Sequence, residues 1–136
     1  MCYPLFGEEH IQRYRDTDGV QGHDWEGASV LLLTTTGRRT GLPRTAGLIY
    51  QEHGDCHVVV ASNGGQDFHP NWYLNLRQNP KVHVQVRGEH FDGYATTATP
   101  EEKAELWPIM TAIWPRYNVC QRATTREFPV VLLRRG

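Results

Sequence analysis

"ASVLLLTTTGRRTGLPRTAGLIYQEHGDCHVVVAS", residues 28–62, decides what kind of fold this chain can adopt. Ala28 to Thr36 and Cys56 to Ser62 are runs of β-branched and apolar residues, and Arg44 to Glu52 resumes in the same style, so all three read as buried strands. His53-Gly54-Asp55 is a tight-turn signal that makes residues 44–62 a hairpin. The Arg-rich piece "TGRRTGLPR" is then a connection between two strands. Three Arg fall within its seven residues from Arg38 to Arg44, and no acidic residue occurs from Gly27 to Gln51.

Outward from this core the pattern stays antiparallel. "NGGQDF" (63–68) is a glycine loop, and "HPNWYLNLRQNP" (69–80) reads as a short helix with Pro70 in its first turn, Asp67 or His69 as cap and Asn79-Pro80 as stop. "KVHVQVRG" (81–88) alternates Val82, Val84 and Val86 against His83, Gln85 and Arg87, the period of a strand with one wet face. "EHFDGYATTA" (89–98) continues as its partner. Thr99-Pro100-Glu101-Glu102 is a capping box that starts a helix at Pro100. Leu106, Ile109, Met110 and Ile113 give that helix an apolar face, and Pro108 and Pro115 are expected to kink or split it. "FPVVLLRR" closes the chain as a strand. Before the core, "GEEHIQRYRDT" (7–17) suits a short helix and "DGVQGHDWEG" (18–27) a loop.

The sum is about six strands and two or three helices, too few and too late for alternating βαβ units. The fold class is mainly β (α+β): a small antiparallel barrel with peripheral helices, its domain spanning 27–136 behind an N-terminal helix-and-loop segment, 1–26. A length of 136 residues fits one domain. Composition is that of a globular protein, 39% hydrophobic and 21% charged, which excludes disorder.

Net charge is −1, so the chain lacks the overall basic field of a general nucleic-acid binder, and any anion site must be local. Local basicity exists. A second acid-free stretch, Phe68 to Gly88, carries Arg77, Lys81 and Arg87 and could share a groove with the first. Cys2, Cys56 and Cys120 are odd in number and widely spaced, which gives no disulfide framework or zinc knuckle and suits a reducing cytosol. The N-terminus has no basic region followed by an apolar one, and no run of about eighteen apolar residues occurs, so the expectation is a cytoplasmic protein with at most peripheral membrane association. Seven His make no H-E-x-x-H or Cys/His cluster, so no metal is expected. G-x-S-x-G is absent, and hydrolytic chemistry has no visible support.

Two segments suit an anion. The glycine-bracketed Arg connection lets backbone amides and guanidinium forks approach a phosphate or carboxylate together, although a solvated hairpin tip would have the same composition. The second is Ser62, Asn63, Gly64 and Gly65 at a strand end, just before a helix that carries Trp72 in its first turn and Asn75 in its next. An aromatic and an amide one turn apart can frame a flat polar ring, while Tyr73 and Leu76 suit the core. Trp107, Trp114 and Tyr117 form a late aromatic stripe whose default is packing; beside a cofactor, Trp114 and Tyr117 would line the substrate side, with Cys120 a further member of that face. With no triad and no metal, the reactive atom belongs to a bound anionic cofactor.

"LLLTTTGRRTGLPR", "VVVASNGGQDFHPNWYLNLRQNPKVHVQV" and "LWPIMTAIWPRYNVCQRATTREFPVVLL" together resemble the deazaflavin-dependent nitroreductase family, small actinobacterial proteins that bind coenzyme F420, over nearly the whole chain from about Gln12. The resemblance implies a split β-barrel like that of flavin-binding pyridoxamine-phosphate-oxidase relatives. It implies hydride transfer from reduced deazaflavin to a quinone, nitro compound or other conjugated electrophile, with the coenzyme's phosphate on Arg38, Arg39, Thr40, Gly41 and Arg44. Ser62 and Asn63 would contact the coenzyme, and Pro70, Asn71, Trp72 and Asn75 would form the groove beside it. Tyr117 is the candidate proton donor toward substrate, with Ile49, Trp114 and Cys120 on the substrate face.

The sequence departs from the family pattern at Asn63, where a basic residue is common, and at Ala46-Gly47, which replaces a residue plus proline. The competing readings are an FMN-dependent reductase or oxidase of the same barrel class and a non-catalytic deazaflavin carrier. Expected partners are a small-molecule electron acceptor and a second copy in a homodimer.

Overall fold

A computed structural model describes residues 6–136, so Cys2 lies outside them. The elements run α1 (Glu8–Asp16), β1 (Asp24–Trp25), β2 (Ala28–Thr36), β3 (Pro43–His53), β4 (Cys56–Val60), α2 (Asn71–Gln78), β5 (Lys81–Val86), β6 (Glu89–Thr97), α3 (Pro100–Ile113), α4 (Arg116–Arg122) and β7 (Val130–Arg135). Strands lie antiparallel in the order β1-β2-β3-β4-β7-β6-β5, and β5 returns to β2 by pairing Gln85 with Leu32, Val84 with Leu33 and His83 with Thr34. Six strands thereby close into a barrel, with the two-residue β1 hung on the start of β2. This is the mainly β architecture that the strand pattern implied, with one extra short strand and four α-helices rather than two or three.

Both faces of the central strands are buried, which explains why β2 reads as a continuous apolar run rather than an alternation. Leu31, Leu33, Val59, Val84, Phe91, Val131 and Leu133, drawn from five strands, fill the barrel together with Tyr50 of β3. The opposite residues, Val30, Leu32, Ile49, Val58, Val60, Val130 and Leu132, face outward under α1, α3 and α4. The helices α1, α3 and α4 thus cover mainly the β2-β3-β4-β7 side, while α2 packs Tyr73 and Leu76 against the barrel cluster. Tyr14 pins α1 there: it is fully buried, and its hydroxyl donates to the Val30 carbonyl at 2.9 Å and accepts from the Arg87 amide at 2.7 Å. Burial pushes that phenol's pKa up. The same contact buries Gln85, which the alternation had put on a wet face; its amide is satisfied by the Arg87 carbonyl at 2.9 Å.

Local signals fared unevenly. The Thr99 capping box forms as read, Thr99 accepting from the Glu102 amide at 3.2 Å while Glu102 accepts from the Thr99 amide at 2.9 Å. Pro108 does not split α3, which runs through it to Ile113; the break comes at Trp114-Pro115. Neither Asp67 nor His69 caps α2. Pro70 itself is the N-cap residue, and both expected caps are engaged elsewhere, with Thr124 and Arg126.

The feature that makes a site is a parting of two strands. β3 pairs with β2 from Pro43 to Tyr50, yet it pairs with β4 only through Gln51, Glu52 and His53. From Tyr50 back toward Pro43 the β3 edge turned away from β2 carries, among the described residues, a single bridge, to Phe6 at Gly47. The ring is closed at one end and split at the other.

Candidate functional site

A cavity of about 520 Å³ occupies that split, within the size range of ligand pockets. One wall is the β3 edge, Arg44 to Ile49, and it continues into the β2–β3 hairpin tip through Gly37, Arg38, Arg39 and Thr40. The opposite wall is Val60 and the loop residues Ser62, Asn63 and Gly64; Pro70, Asn71, Trp72 and Asn75 close one side, and Phe6 and Tyr117 complete the lining.

The hairpin tip is built to present cations. Gly37 donates to the Leu42 carbonyl and Gly41 to the Gly37 carbonyl, both at 2.8 Å, and Thr40 accepts from the Leu42 amide at 3.2 Å. Gly41 sits at φ +73°, a left-handed conformation that an L side chain rarely adopts. A Cβ on Gly37 would lie 2.9 Å from the Thr40 hydroxyl oxygen. Arg38 is then aimed by α2: Asn75 Oδ1 accepts from its amide at 3.2 Å and from Nη1 at 2.9 Å, and Asn71 Oδ1 accepts from Nη2 at 3.4 Å. Asn75, 3% exposed, is itself fixed by donating to Thr35 Oγ1 at 3.2 Å. These acceptors are neutral. Among the described residues no carboxylate pairs with Arg38, Arg39 or Arg44, and none lines the cavity. The charge of the tip is therefore uncompensated, and it faces a concave, half-apolar space.

The loop wall depends on strained backbone. Asn63, Gly64 and Gly65 occupy successive positive φ values of 49°, 64° and 83°, and the Asn63 side-chain amide reaches to the Phe68 carbonyl at 3.0 Å to hold the turn. Asn63 can therefore shape the wall where a long basic side chain would instead reach across it. On the β3 wall, Gly47 lets Phe6 approach: a Cβ there would stand 2.9 Å from Phe6 Cβ. The Phe6 ring is backed by His10 at 4.6 Å and Trp25 at 5.4 Å between centroids. Ala46-Gly47 and Phe6 are one unit.

Tyr117 belongs to the seven-residue α4, too short to show a helical period of its own. It is 5% exposed, its hydroxyl bonds no described residue, and burial drives its pKa well above the ordinary phenol value. It remains a neutral donor at any cellular pH. Ile49 also lines the cavity. Trp114 and Cys120, expected on the substrate face, do not. Trp114 is the C-cap residue of α3 and lies in the core, its Nε1 without a partner among the described residues and its ring under the Arg116 guanidinium at 5.2 Å. Cys120, on the core side of α4, is fully buried. Gly41 lines a separate cavity of about 450 Å³ on the other side of the hairpin. The break at Pro115 rotates Tyr117 toward the cavity and leaves Trp114 behind it.

Sequence reading missed Phe6, Thr45, Leu48 and Val60 in the lining, which carry no chemical signal on their own. It also missed Arg126, whose contacts span sixty residues. No group of three or more His, Cys, Asp or Glu among the described residues could hold a metal.

A model of the F420H(2)-dependent quinone reductase family matches residues 7–135. An F420H(2)-dependent quinone reductase of Mycobacterium tuberculosis is 42% identical over 130 residues, 93% of this chain and 87% of that protein. Among solved structures, an F420-H2 dependent reductase superposes with a TM-score of 0.71 at 34% identity, over 76% of this chain and 92% of its own. A domain-swapped dimer superposes with a TM-score of 0.74 at 33% identity, over 92% and 94%.

Proposed function

The chain belongs to the F420H(2)-dependent quinone reductase family, and we propose on that basis that its cavity binds reduced coenzyme F420 and serves hydride transfer to a quinone. The observation that carries the reading is the polarity of the cavity: three arginines without carboxylate partners at the hairpin end, and a mostly apolar remainder with one phenol. An anionic tail and a flat ring together fit those two ends, and the chain's own donors suit them.

Arg38, Arg39 and Arg44 with Thr40 hold the phosphate, as forked donors do, and Gly41 gives the tip its conformation. Ser62 and Asn63 contact the coenzyme from the loop wall, and Pro70, Asn71, Trp72 and Asn75 form the groove beside it. Ile49 and Tyr117 bound the acceptor. When bound, the reduced coenzyme supplies the hydride; the quinone takes it up with one further proton and leaves as the hydroquinone. Tyr117 holds its proton firmly, so its part is to donate a hydrogen bond from Oη to the quinone oxygen while that oxygen gains negative charge, and the balancing proton comes from water. The remaining walls orient the pair.

Nitro compounds are alternative acceptors on the same logic. No described helix is long and apolar enough to cross a membrane, and a cytoplasmic setting completes the reading. A homodimer is its expected assembly, prompted by the relative solved as a domain-swapped dimer. The test is fluorescence titration with coenzyme F420 and with FMN in parallel, followed by oxidation of the reduced deazaflavin in the presence of menadione. Micromolar or tighter binding of the deazaflavin alone, with turnover, supports the reading. Preference for FMN, or binding without turnover, overturns it in favour of a flavin enzyme or a carrier.

A further inference from the structure

The loop from Ser62 to His69 is a costly piece of chain. It holds three successive left-handed residues, one of them Asn63, and a run of backbone carbonyls that no strand receives. One side chain collects them. Arg126, in the segment between α4 and β7, donates from Nη1 to the Ala61 carbonyl at 3.1 Å, from Nη2 to the Ser62 carbonyl at 2.7 Å and from Nε to the Gln66 carbonyl at 3.0 Å. Nη1 also donates to Nδ1 of His69 at 2.9 Å. Four of the guanidinium's five N–H groups are therefore spent on residues 61–69, three of them on the loop itself, a geometry that lysine cannot reproduce.

The guanidinium lies over the fully buried Phe128 ring, its Cζ 4.8 Å from the ring centroid, which backs it from behind. Thr124, two residues away, adds a second tie by donating to Asp67 Oδ1 at 2.6 Å. Arg126 itself does not line the cavity. Ser62, which it holds, does, and Asn63 and Gly64 follow it in the wall facing the Arg-bearing hairpin.

We infer that Arg126 is the positioning residue of the coenzyme site, a four-point clamp that sets the loop wall at the distance from Arg38 and Arg44 at which an anionic coenzyme is gripped. The inference rests on the coenzyme reading and adds to it a residue outside the pocket. A clamp of this kind predicts that affinity is lost without loss of the barrel, because none of the carbonyls it holds belongs to the strand ladders.

Arg126→Lys keeps the charge and loses the fork. Its Kd for coenzyme F420 is expected to rise about tenfold or more, as for loss of one or two charge-assisted contacts, with a Tm shift of only a few degrees. Hydrogen exchange of residues 62–69 should quicken while that of β2 and β7 stays unchanged. In Arg126→Ala, millimolar methylguanidinium should restore binding, an effect that a general packing role would not produce. Unchanged affinity in Arg126→Lys, or exchange quickened equally across the barrel, overturns the clamp. If the wild-type chain fails to bind the deazaflavin, the coenzyme reading has failed instead, and the exchange pattern still decides whether Arg126 holds the loop.

Discussion

Replacing Asn75 by Asp changes one atom group at the point where α2 aims Arg38, and it separates charge from architecture. The new carboxylate keeps acceptors for the Arg38 amide and Nη1, now at 3.2 and 2.9 Å, and the Thr35 hydroxyl can turn to donate to it. Stability should therefore hold within about 1 kcal/mol, since a paired buried charge roughly breaks even. Anion affinity should not. A phosphate held by Arg38 would lie roughly 7 Å from the carboxylate, and like charges at that distance with an effective dielectric constant of about 20 repel by about 2 kcal/mol, roughly thirtyfold in Kd. Asn75→Ala gives the reverse profile, losing about 1 to 3 kcal/mol of stability through unmade hydrogen bonds while leaving the Arg38 charge unopposed. The assay is coenzyme F420 titration at low and high salt with Tm measured on the same samples; the Asp variant should show a shallower salt dependence as well as weaker binding. Asn75→Asp binding with the wild-type Kd would refute the view that Arg38 faces an anion.

Three further outcomes are expected. Tyr117→Phe should lower turnover with menadione at near-constant coenzyme Kd and near-constant Tm, because the hydroxyl bonds no described residue; a large Tm loss would show a structural hydroxyl. Trp114→Ala should cost about 3 to 5 kcal/mol of stability, whereas Trp114→Phe should cost far less because it also removes the unpartnered Nε1; acceptor preference changing in the Phe variant would return Trp114 to the substrate face. Burial, then the neighbouring Arg126 and Arg77 charges, lower the His69 pKa from 6.5. The folded chain thus resists a proton that the unfolded chain accepts, so stability is complete above about pH 6.5 and falls as acidification proceeds toward the folded pKa. His57, lowered mainly by burial, adds the same sign. His69→Gln should flatten part of the acid limb of a Tm–pH profile, and an unaltered profile would remove His69 from the account.

How much of this was legible in the chain follows from how local each signal is. β2 was read to its last residue because its β-branched run ends at a glycine hairpin, and the α3 start because a capping box is complete within four residues. The Arg tip was legible as a basic stretch because no acid neighbours it in sequence, and among the described residues folding brings no carboxylate partner to it. What failed depends on partners far along the chain. Asp67 and His69 have the composition of helix caps, but Thr124 and Arg126 claim them from some sixty residues away. Gln85 fits a wet face until α1 covers it through Tyr14. Trp114, Tyr117 and Cys120 share one stripe at helical spacing, and the change of axis at Pro115 sends Tyr117 alone to the cavity. The barrel's closure, β2 against β5, pairs residues about fifty apart and leaves no mark in either strand.

The unpaired β3 edge carries a liability of its own. A strand edge left open for a small molecule is also open to another polypeptide, and exposed edges are where chains zip together and precipitate. Pro43 at its start has no N–H to offer, Arg44 beside it is charged and exposed, and Phe6 occupies the middle at Gly47. Residues proposed to grip an anion would thus also keep the protein from sticking to itself. Neutralising Arg44 is therefore expected to shorten the useful life of a concentrated sample as well as weaken the coenzyme's hold.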